Sequence, residues 1–365
     1  MRRIGILTFH ASHNYGSMLQ AYALQRHLQT QGCHVEIINF RSDAQRHGVY
    51  PYPLELRGMN LAKQLLTPVW LYHRCRQWKR FEVFMAENMC LSEKTYKTWE
   101  DMQGDMNKFD VIITGGDQIW NMNCYDFDKS YFLPGKLEKA RKVSYCPSFG
   151  DFLNKIPKGQ AAFVKEQLSE YDALSVREFS TGEYLKNLLG KDVEVVADPT
   201  LLLSADDYQE IMDDTPLVKG DYILYYTPRN CPELECIAAL FGKQRGMKVI
   251  TTRPRKFGNN GLIPFNGAGP KEFLNLLKNA RLVAGASYHL VVFALIFHKE
   301  FIAFNGASDN RISNLLNYLG MSERGIITDK NYRNIRLAPI NYVNTDMLLR
   351  KLRESSLSYL TKALL

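Results

Sequence analysis

The stretch that decides the fold is residues 4–40, IGILTFHASHNYGSMLQAYALQRHLQTQGCHVEIINF. Residues 4–9 are nearly all apolar and predict a buried strand. Residues 17–31 place leucines and alanines on one face and are followed by Gly32, which predicts an amphipathic helix and its end. Residues 35–40 predict the next strand. A strand, a helix and a second strand in this order indicate a parallel sheet covered by helices.

The same alternation continues along the chain in two successive sets. The first set ends near residue 203, and the polar residues 204–220 predict the connection to the second. Two such sets predict an α/β protein of two Rossmann-like domains facing a cleft, with ligands at the carboxyl ends of strands. The further strands predicted are 109–114, 142–146, 173–176, 193–196, 222–226, 248–252, 282–285 and 301–304, with helices at 233–245, 270–279 and 290–298.

The predicted domains follow from this division. The N-terminal domain spans residues 1–205 and contains an insertion at about 44–107, where the alternation is interrupted. The C-terminal domain spans residues 221–340, and residues 341–365 predict a final helix.

Composition excludes several classes of protein. With 45% hydrophobic and 23% charged residues, the chain resembles packed globular proteins and not disordered or collagenous ones. No apolar run approaches the ~18 residues of a membrane span, and no signal-peptide core is present, so a cytoplasmic protein is expected. The excess of 46 Lys and Arg over 38 Asp and Glu favours anionic partners without choosing among phosphate, lipid and nucleic acid.

The loop after the first strand contains Asn14, Tyr15, Gly16 and Ser17. Backbone N–H groups at the start of a helix favour an anion, so these residues are candidates for substrate binding. The alternative is that the loop only caps the helix.

A second polar loop, with Gly116, Asp117 and Gln118, follows the strand predicted at 109–114. Paired glycines let the backbone approach a ligand closely, while Asp117 and Gln118 supply polar contacts. The alternative is a structural strand exit with Asp117 as a helix cap.

Two more strand ends of the first set carry polar residues. Ser148 offers a hydroxyl group in one loop, and Arg177 ends an apolar strand, where its charge needs an anionic partner. That partner is either a substrate or Glu178 or another nearby acid.

In the second set, Ser287, Tyr288 and His289 join a strand to a very apolar helix. Histidine is suited to general acid or base catalysis, and the carboxyl end of a strand is where such folds bind ligands. The alternative is a buried histidine of the core.

Together these segments resemble the polysaccharide pyruvyl transferase family. Two departures are a serine at 287, where some members have an arginine, and Leu290, which replaces a common glycine. The matching segments are Asn14-Tyr15-Gly16, Leu19-Gln20-Ala21-Tyr22-Ala23-Leu24, Gly116-Asp117-Gln118-Ile119-Trp120-Asn121, Ser148-Phe149-Gly150, Val176-Arg177-Glu178, Asp198-Pro199-Thr200-Leu201-Leu202, Gly269-Pro270-Lys271-Glu272-Phe273 and Ser287-Tyr288-His289.

The resemblance implies a GT-B-like fold and a transferase that moves the pyruvyl group of phosphoenolpyruvate onto a sugar as a ketal, releasing phosphate. The acceptor would belong to a capsule or exopolysaccharide or to its lipid-linked precursor. No cofactor, metal or nucleic acid is expected. The runner-up is a glycosyltransferase that uses a nucleotide sugar, and the third candidate is a non-catalytic sugar-binding protein.

The resemblance also suggests roles for the candidate residues. Arg177, the loop 14–17 and the basic run 253–256 would bind the anionic donor. His289 would act as the acid or stabilise phosphate, and Asp117 would orient or deprotonate the acceptor. Further substrate contacts are expected from Gly116, Gln118, Ser148, Ser287 and Tyr288.

The segment 61–81 interleaves aromatic and basic residues. Such a stretch can lie on anionic lipid, which predicts weak peripheral contact with the inner face of the membrane. The alternative is an ordinary helix that packs its apolar side on the domain.

Overall fold

The computed structural model describes residues 1–51, 68–150, 156, 158–253, 260–326 and 338–365, and these residues divide into two units. The first unit comprises Met1–Gly48, Asn88–Leu203 and Asp346–Leu365. The second comprises Val49–Glu87 and Ser204–Thr345.

Short parallel strands form the sheet of the first unit. They are β1 (Arg3–Leu7), β2 (His34–Ile37), β3 (Val111–Gly115) and β4 (Arg141–Tyr145), with a separate parallel pair β5 (Ser175–Val176) and β6 (Glu194–Val195). The strand order is β2-β1-β3-β4, and every pairing in it is parallel. The α-helices of this unit are Tyr15–Thr30, Asp43–Val49, Trp99–Met102, Lys158–Ser169 and Phe179–Leu189, with 3₁₀-helices at Gln103–Lys108, Lys129–Phe132 and Pro199–Leu202.

The second unit repeats this plan with a wider sheet. Its strands are β7 (Tyr222–Tyr226), β8 (Lys248–Thr251), β9 (Ile263–Pro264), β10 (Leu282–Gly285), β11 (Phe301–Phe304) and β12 (Gly325–Ile326). They lie in the order β12-β11-β10-β7-β8-β9 and are all parallel. The α-helices are Pro68–Asn88, Ala205–Gln209, Pro232–Arg245, Pro270–Asn279, Tyr288–Ile296 and Asn310–Leu319, and Ser322–Arg324 is a 3₁₀-helix.

Each unit has a core of its own between sheet and helices. In the first, Leu7, Ile112 and Trp120 are fully buried, and the Trp120 ring stacks on Phe132 with ring centroids 5.5 Å apart. Burying one such apolar side chain contributes about 1.5–3 kcal/mol. Parallel strands alternating with helices make both units Rossmann-like, which confirms the predicted fold class. Every predicted strand is present with bounds shifted by a few residues, and only the two-residue strands β9 and β12 were not predicted.

The insertion at about 44–107 was expected in the N-terminal domain, but its middle part, Val49–Glu87, belongs to the second unit. The cause is a set of hydrogen bonds from the helix Pro68–Asn88: Gln77 Nε2 donates to Ala268 O at 3.1 Å, and Arg80 Nη1 donates to Gly267 O at 2.7 Å. Arg80 Nε also lies 3.1 Å from a carboxylate oxygen of Glu272. The predicted assignment of this helix to the first domain is therefore wrong.

The predicted C-terminal helix is present as Tyr342–Leu364. From Asp346 onward it is counted with the first unit, where the Tyr359 hydroxyl donates to Ser144 O at 2.7 Å. Within the described ranges, no helix combines the length and apolar character that a membrane crossing requires.

Candidate active site

The polar loops of the first unit leave the same edge of its sheet. β1 and β3 run in parallel register with Leu7 opposite Thr114, and β3 and β4 do so with Gly115 opposite Tyr145. The loops that follow these strands therefore meet at the carboxyl edge, where α/β proteins bind ligands. The predicted site residues of the first unit lie on these loops, in the first turn of the helix Tyr15–Thr30 or directly after β5.

Asn14 caps the first helix. Its side-chain oxygen accepts from the backbone N–H of Gly16 at 2.9 Å and of Ser17 at 3.4 Å. This contact satisfies two donors that have no intrahelical partner. The capping alternative is thus confirmed for Asn14, and its contact with substrate stays a prediction.

Asp117 is fixed in an unusual backbone conformation. Its φ of 55° lies in the left-handed region, which is uncommon for a non-glycine residue. Oδ1 accepts from the backbone N–H of Gln118 at 2.9 Å, and Oδ2 accepts a very short hydrogen bond from the Ser17 hydroxyl. Residues 117–120 form a turn and not a helix, so the helix-cap alternative for Asp117 is wrong. Side chains held this firmly in strained turns are frequent at functional sites.

Gly116 allows the loop to lie close to the first helix. Its φ is 66°, and a Cβ atom there would come within 1.6 Å of Gln20 Oε1. Gln20 Nε2 in turn donates to the Thr8 hydroxyl at 2.8 Å. Glycine is required at 116 both for its backbone conformation and for this close approach.

Ser148 joins two neighbouring loops, and Gln118 holds its own loop together. The backbone N–H of Ser148 donates to Asp117 O at 2.9 Å, and its hydroxyl donates to Glu178 Oε1 at 2.6 Å. Gln118 Oε1 accepts from Asn121 Nδ2 at 2.9 Å. These side chains are part of one hydrogen-bonded network at the sheet edge.

Arg177 lies buried among three carboxylates, with its side chain 2% exposed. Nη1 is 2.9 Å from Asp198, Nε is 3.5 Å from Glu178 and Nη2 is 3.8 Å from Asp117. The ion-pair alternative is therefore confirmed. One cation among three carboxylates leaves net negative charge, and such a cluster repels an anionic ligand. The geometry favours Arg177 as the residue that holds the three carboxylates in place.

Asp126 is a member of this site that the sequence did not suggest. It is 4% exposed, and its Oδ2 accepts from the Ser12 hydroxyl at 2.8 Å. Burial raises the pKa of Asp126 to about 6; the Ser12 hydrogen bond opposes the rise, and the charge of Asp117 adds to it. Because its contacts join distant loops, no local pattern marked it. Asp198, by contrast, stood in a quoted motif and could have been chosen.

In the second unit, Ser287, Tyr288 and His289 lie where β10 leads into the helix Tyr288–Ile296. Gly285 permits this exit, since a Cβ there would lie 1.8 Å from Tyr226 O. His289 is 6% exposed, and its ring meets that of Tyr288 edge to face at 5.3 Å. This placement agrees with both the catalytic and the core interpretation of His289.

The basic run predicted at 253–256 is described only at Arg253, which lies two residues beyond β8; residues 254–256 lie outside the described residues. In the part of the chain that the structure describes, no group of three or more His, Cys, Asp or Glu side chains is placed to hold a metal ion.

Comparison with known families decides the assignment. The family model for polysaccharide pyruvyl transferase matches residues 14–308, which include every candidate residue named so far. The chain belongs to this family. This pyruvyl transferase family member is accordingly a transferase enzyme of polysaccharide biosynthesis. Among curated protein sequences, none matches the chain.

Solved structures agree with the fold of this pyruvyl transferase family member. The UDP-GlcNAc 2-epimerase from Methanocaldococcus jannaschii is 15% identical, with 97% of this chain and 99% of that chain covered and a TM-score of 0.52. The UDP-GlcNAc 2-epimerase from Neisseria meningitidis bound to UDP-GlcNAc is 11% identical, with 100% and 94% covered and a TM-score of 0.49. The first likeness supports a fold of the GT-B type.

Proposed function

We propose that the enzyme transfers the pyruvyl group of phosphoenolpyruvate to two hydroxyl groups of one sugar, forming a cyclic ketal and releasing phosphate. The observation that carries this proposal is the family match over residues 14–308. The cluster around Asp117 supports it, because a carboxylate fixed at a sheet edge can orient a hydroxyl group and take its proton.

The proposed reaction converts phosphoenolpyruvate and two sugar hydroxyl groups into a ketal and inorganic phosphate. The methylene carbon of phosphoenolpyruvate gains a proton and becomes a methyl group, while one sugar oxygen bonds to the central carbon and loses its proton. The bond from that carbon to the phosphate oxygen then breaks, and phosphate leaves with the electron pair. The second sugar oxygen bonds to the carbon, and its proton leaves with the phosphate.

The residues divide between these steps according to their charge and place. Asp117 is proposed to accept a proton from the acceptor hydroxyl, with Asp126 beside it as a second carboxylate of raised pKa. His289 is proposed to supply the proton for the methylene carbon or to stabilise the phosphate. Arg177 is assigned a positioning role in place of donor binding, because three carboxylates surround it.

The acceptor is proposed to be a sugar of a capsule or exopolysaccharide, carried on a lipid precursor at the cytoplasmic face of the membrane. The helix Pro68–Asn88 supports this placement, since Val69, Tyr72, Arg76, Lys79 and Val83 are exposed at spacings of three and four residues. Residues at these spacings lie on one face of a helix. Residues 61–67 of the basic segment lie outside the described residues.

Vesicle co-sedimentation tests the membrane contact. Weak, salt-sensitive binding to anionic but not to neutral vesicles is expected. The double variant Arg76→Glu, Lys79→Glu should abolish this binding. Equal absence of binding to both vesicle types would contradict this part of the proposal.

The central experiment supplies the enzyme with phosphoenolpyruvate and a panel of lipid-linked and aryl glycosides. We expect release of inorganic phosphate and a pyruvate adduct of the glycoside by mass spectrometry. Nucleotide release from a sugar nucleotide would instead indicate a glycosyltransferase. Saturable glycan binding without turnover of either donor would indicate a sugar-binding protein.

A further inference from the structure

Three strands of the second unit end side by side at the carboxyl edge of its sheet. Tyr225 of β7 lies opposite Thr251 of β8, and Gly285 of β10 lies opposite Tyr226. The residues that follow β8 and β10 therefore leave this edge in the same direction. These residues include Thr252, Arg253, Ser287, Tyr288 and His289.

Two arginines come from segments that meet at this edge: the Phe265 N–H donates to Thr251 O at 2.7 Å, and Gln77, three residues after Arg74 on the same helix face, donates to Ala268 O at 3.1 Å. Arg253 follows β8, and its Nη1 donates to Pro228 O at 3.4 Å. Arg74 comes from the helix Pro68–Asn88, and its guanidinium carbon is 5.2 Å from the centroid of the Trp70 ring. Both are half-buried. Burial lowers the pKa of the Arg74 guanidinium, and the nearby charge of Arg253 lowers it further.

Neither arginine has a carboxylate partner in the described part of the chain, in contrast to Arg80, which pairs with Glu272, and Arg177, which has three partners. The hydroxyl of Thr252, the residue before Arg253, is also buried: the residue is 1% exposed, and Oγ1 has no hydrogen bond among the described residues. Two half-buried cations without a carboxylate partner and a buried hydroxyl without a hydrogen bond favour the binding of an anion at this edge.

We propose that Arg74 and Arg253 together bind the phosphate group of the donor. Some family members carry an arginine at the position of Ser287. Arg74 and Arg253 would supply the positive charge that this serine lacks. A phosphate dianion matches two guanidinium groups in charge and can accept hydrogen bonds from both, with the Thr252 hydroxyl as a further donor. That the bound phosphate belongs to phosphoenolpyruvate rests on the proposed function. The binding of phosphate to the two arginines is independent of that function.

Calorimetric titration of the full chain with inorganic phosphate and with phosphoenolpyruvate tests the site. Arg74→Gln and Arg253→Gln should each weaken both affinities by at least ~10-fold, the scale of one lost charged contact. Arg350→Gln is the control, because Arg350 is an exposed arginine outside this site. Its phosphate affinity should equal that of the wild type.

Thermal unfolding separates binding from misfolding. Without ligand, Arg74→Gln and Arg253→Gln should melt at or above the wild-type temperature, because one of two repelling charges is gone. Phosphate should raise the wild-type melting temperature and raise that of the variants much less. Wild-type protein that shows no phosphate binding, or variants that bind phosphate as it does, would overturn the site.

The site and the proposed function fail in different ways. If phosphate binding depends on the two arginines but no ketal forms from phosphoenolpyruvate, the proposed function is wrong and the anion site stands. If the ketal forms and both variants keep the wild-type affinity for phosphoenolpyruvate, the anion site is wrong and the function stands.

Discussion

At the carboxyl edge of its sheet the first unit holds three carboxylates around Arg177 and a fourth, Asp126, bonded to Ser12, whereas the second holds two arginines and a histidine. Both edges are built from the same plan of parallel strands followed by polar loops. The architecture therefore does not set the charge of a site, and the loop residues do. An anionic edge suits hydroxyl groups that must lose protons, and a cationic edge suits a donor that carries phosphate and carboxylate.

This contrast predicts that Asp117 affects transfer and leaves donor binding intact. Asp117→Asn should lower kcat by ~10²- to 10⁴-fold, the range for a lost general base, because the amide cannot accept the hydroxyl proton. Calorimetry should show an unchanged affinity for phosphoenolpyruvate. A comparable loss of donor affinity would place Asp117 on the donor and remove the contrast.

His289→Ala provides the counterpart in the second unit. It should lower kcat by at least ~100-fold in a protein that still folds. A variant that unfolds instead would support the core interpretation of this histidine.

The role of Arg177 sharpens the comparison within the first unit. Arg177→Gln leaves three buried carboxylates without their cation and should lower the free energy of unfolding by about 3–5 kcal/mol, as measured by chemical denaturation. Arg177→Lys keeps the charge but not the planar guanidinium, so it should fold, with lower kcat and an unchanged KM for phosphoenolpyruvate. A raised donor KM with normal kcat would show that Arg177 binds the donor after all.

The smallest expected effect concerns Asp126 and pH. Because its folded pKa of about 6 lies above the ordinary value near 4, Asp126 favours the folded state below pH 4, and this contribution is lost as the pH rises through 6. The free energy of unfolding of Asp126→Asn should therefore exceed that of the wild type by up to about 3 kcal/mol above pH 6 and by little below pH 4. Denaturation curves between pH 4 and 8 measure this difference.

An exposed carboxylate serves as the control for that measurement. Asp221→Asn should follow the wild-type pH profile, since Asp221 is exposed. Parallel profiles for Asp126→Asn and the wild type would mean that Asp126 does not interact with the cluster as described.

Local sequence patterns are sufficient to predict the alternation of strands and helices and the loops that carry the polar residues. The apolar run of β1 and the leucines of Tyr15–Thr30 act over a few neighbouring residues, so local patterns reveal them. The family motifs likewise lie in short continuous segments, and each falls at a strand end or a helix start.

Tertiary structure alone decided which charges meet. Asp126 contacts Ser12, and the helix that carries Arg74 meets the segment after β9 that is bonded to the end of β8, although these residues are far apart in the sequence. No periodicity encodes such pairs. Arg177 had two open interpretations until the folded chain placed three carboxylates around it. The helix Pro68–Asn88 was likewise assigned to its unit only by hydrogen bonds to residues 267 and 268. Strands and helices follow from local periodicity and propensity, whereas the charge of a site depends on long-range packing that brings distant side chains together.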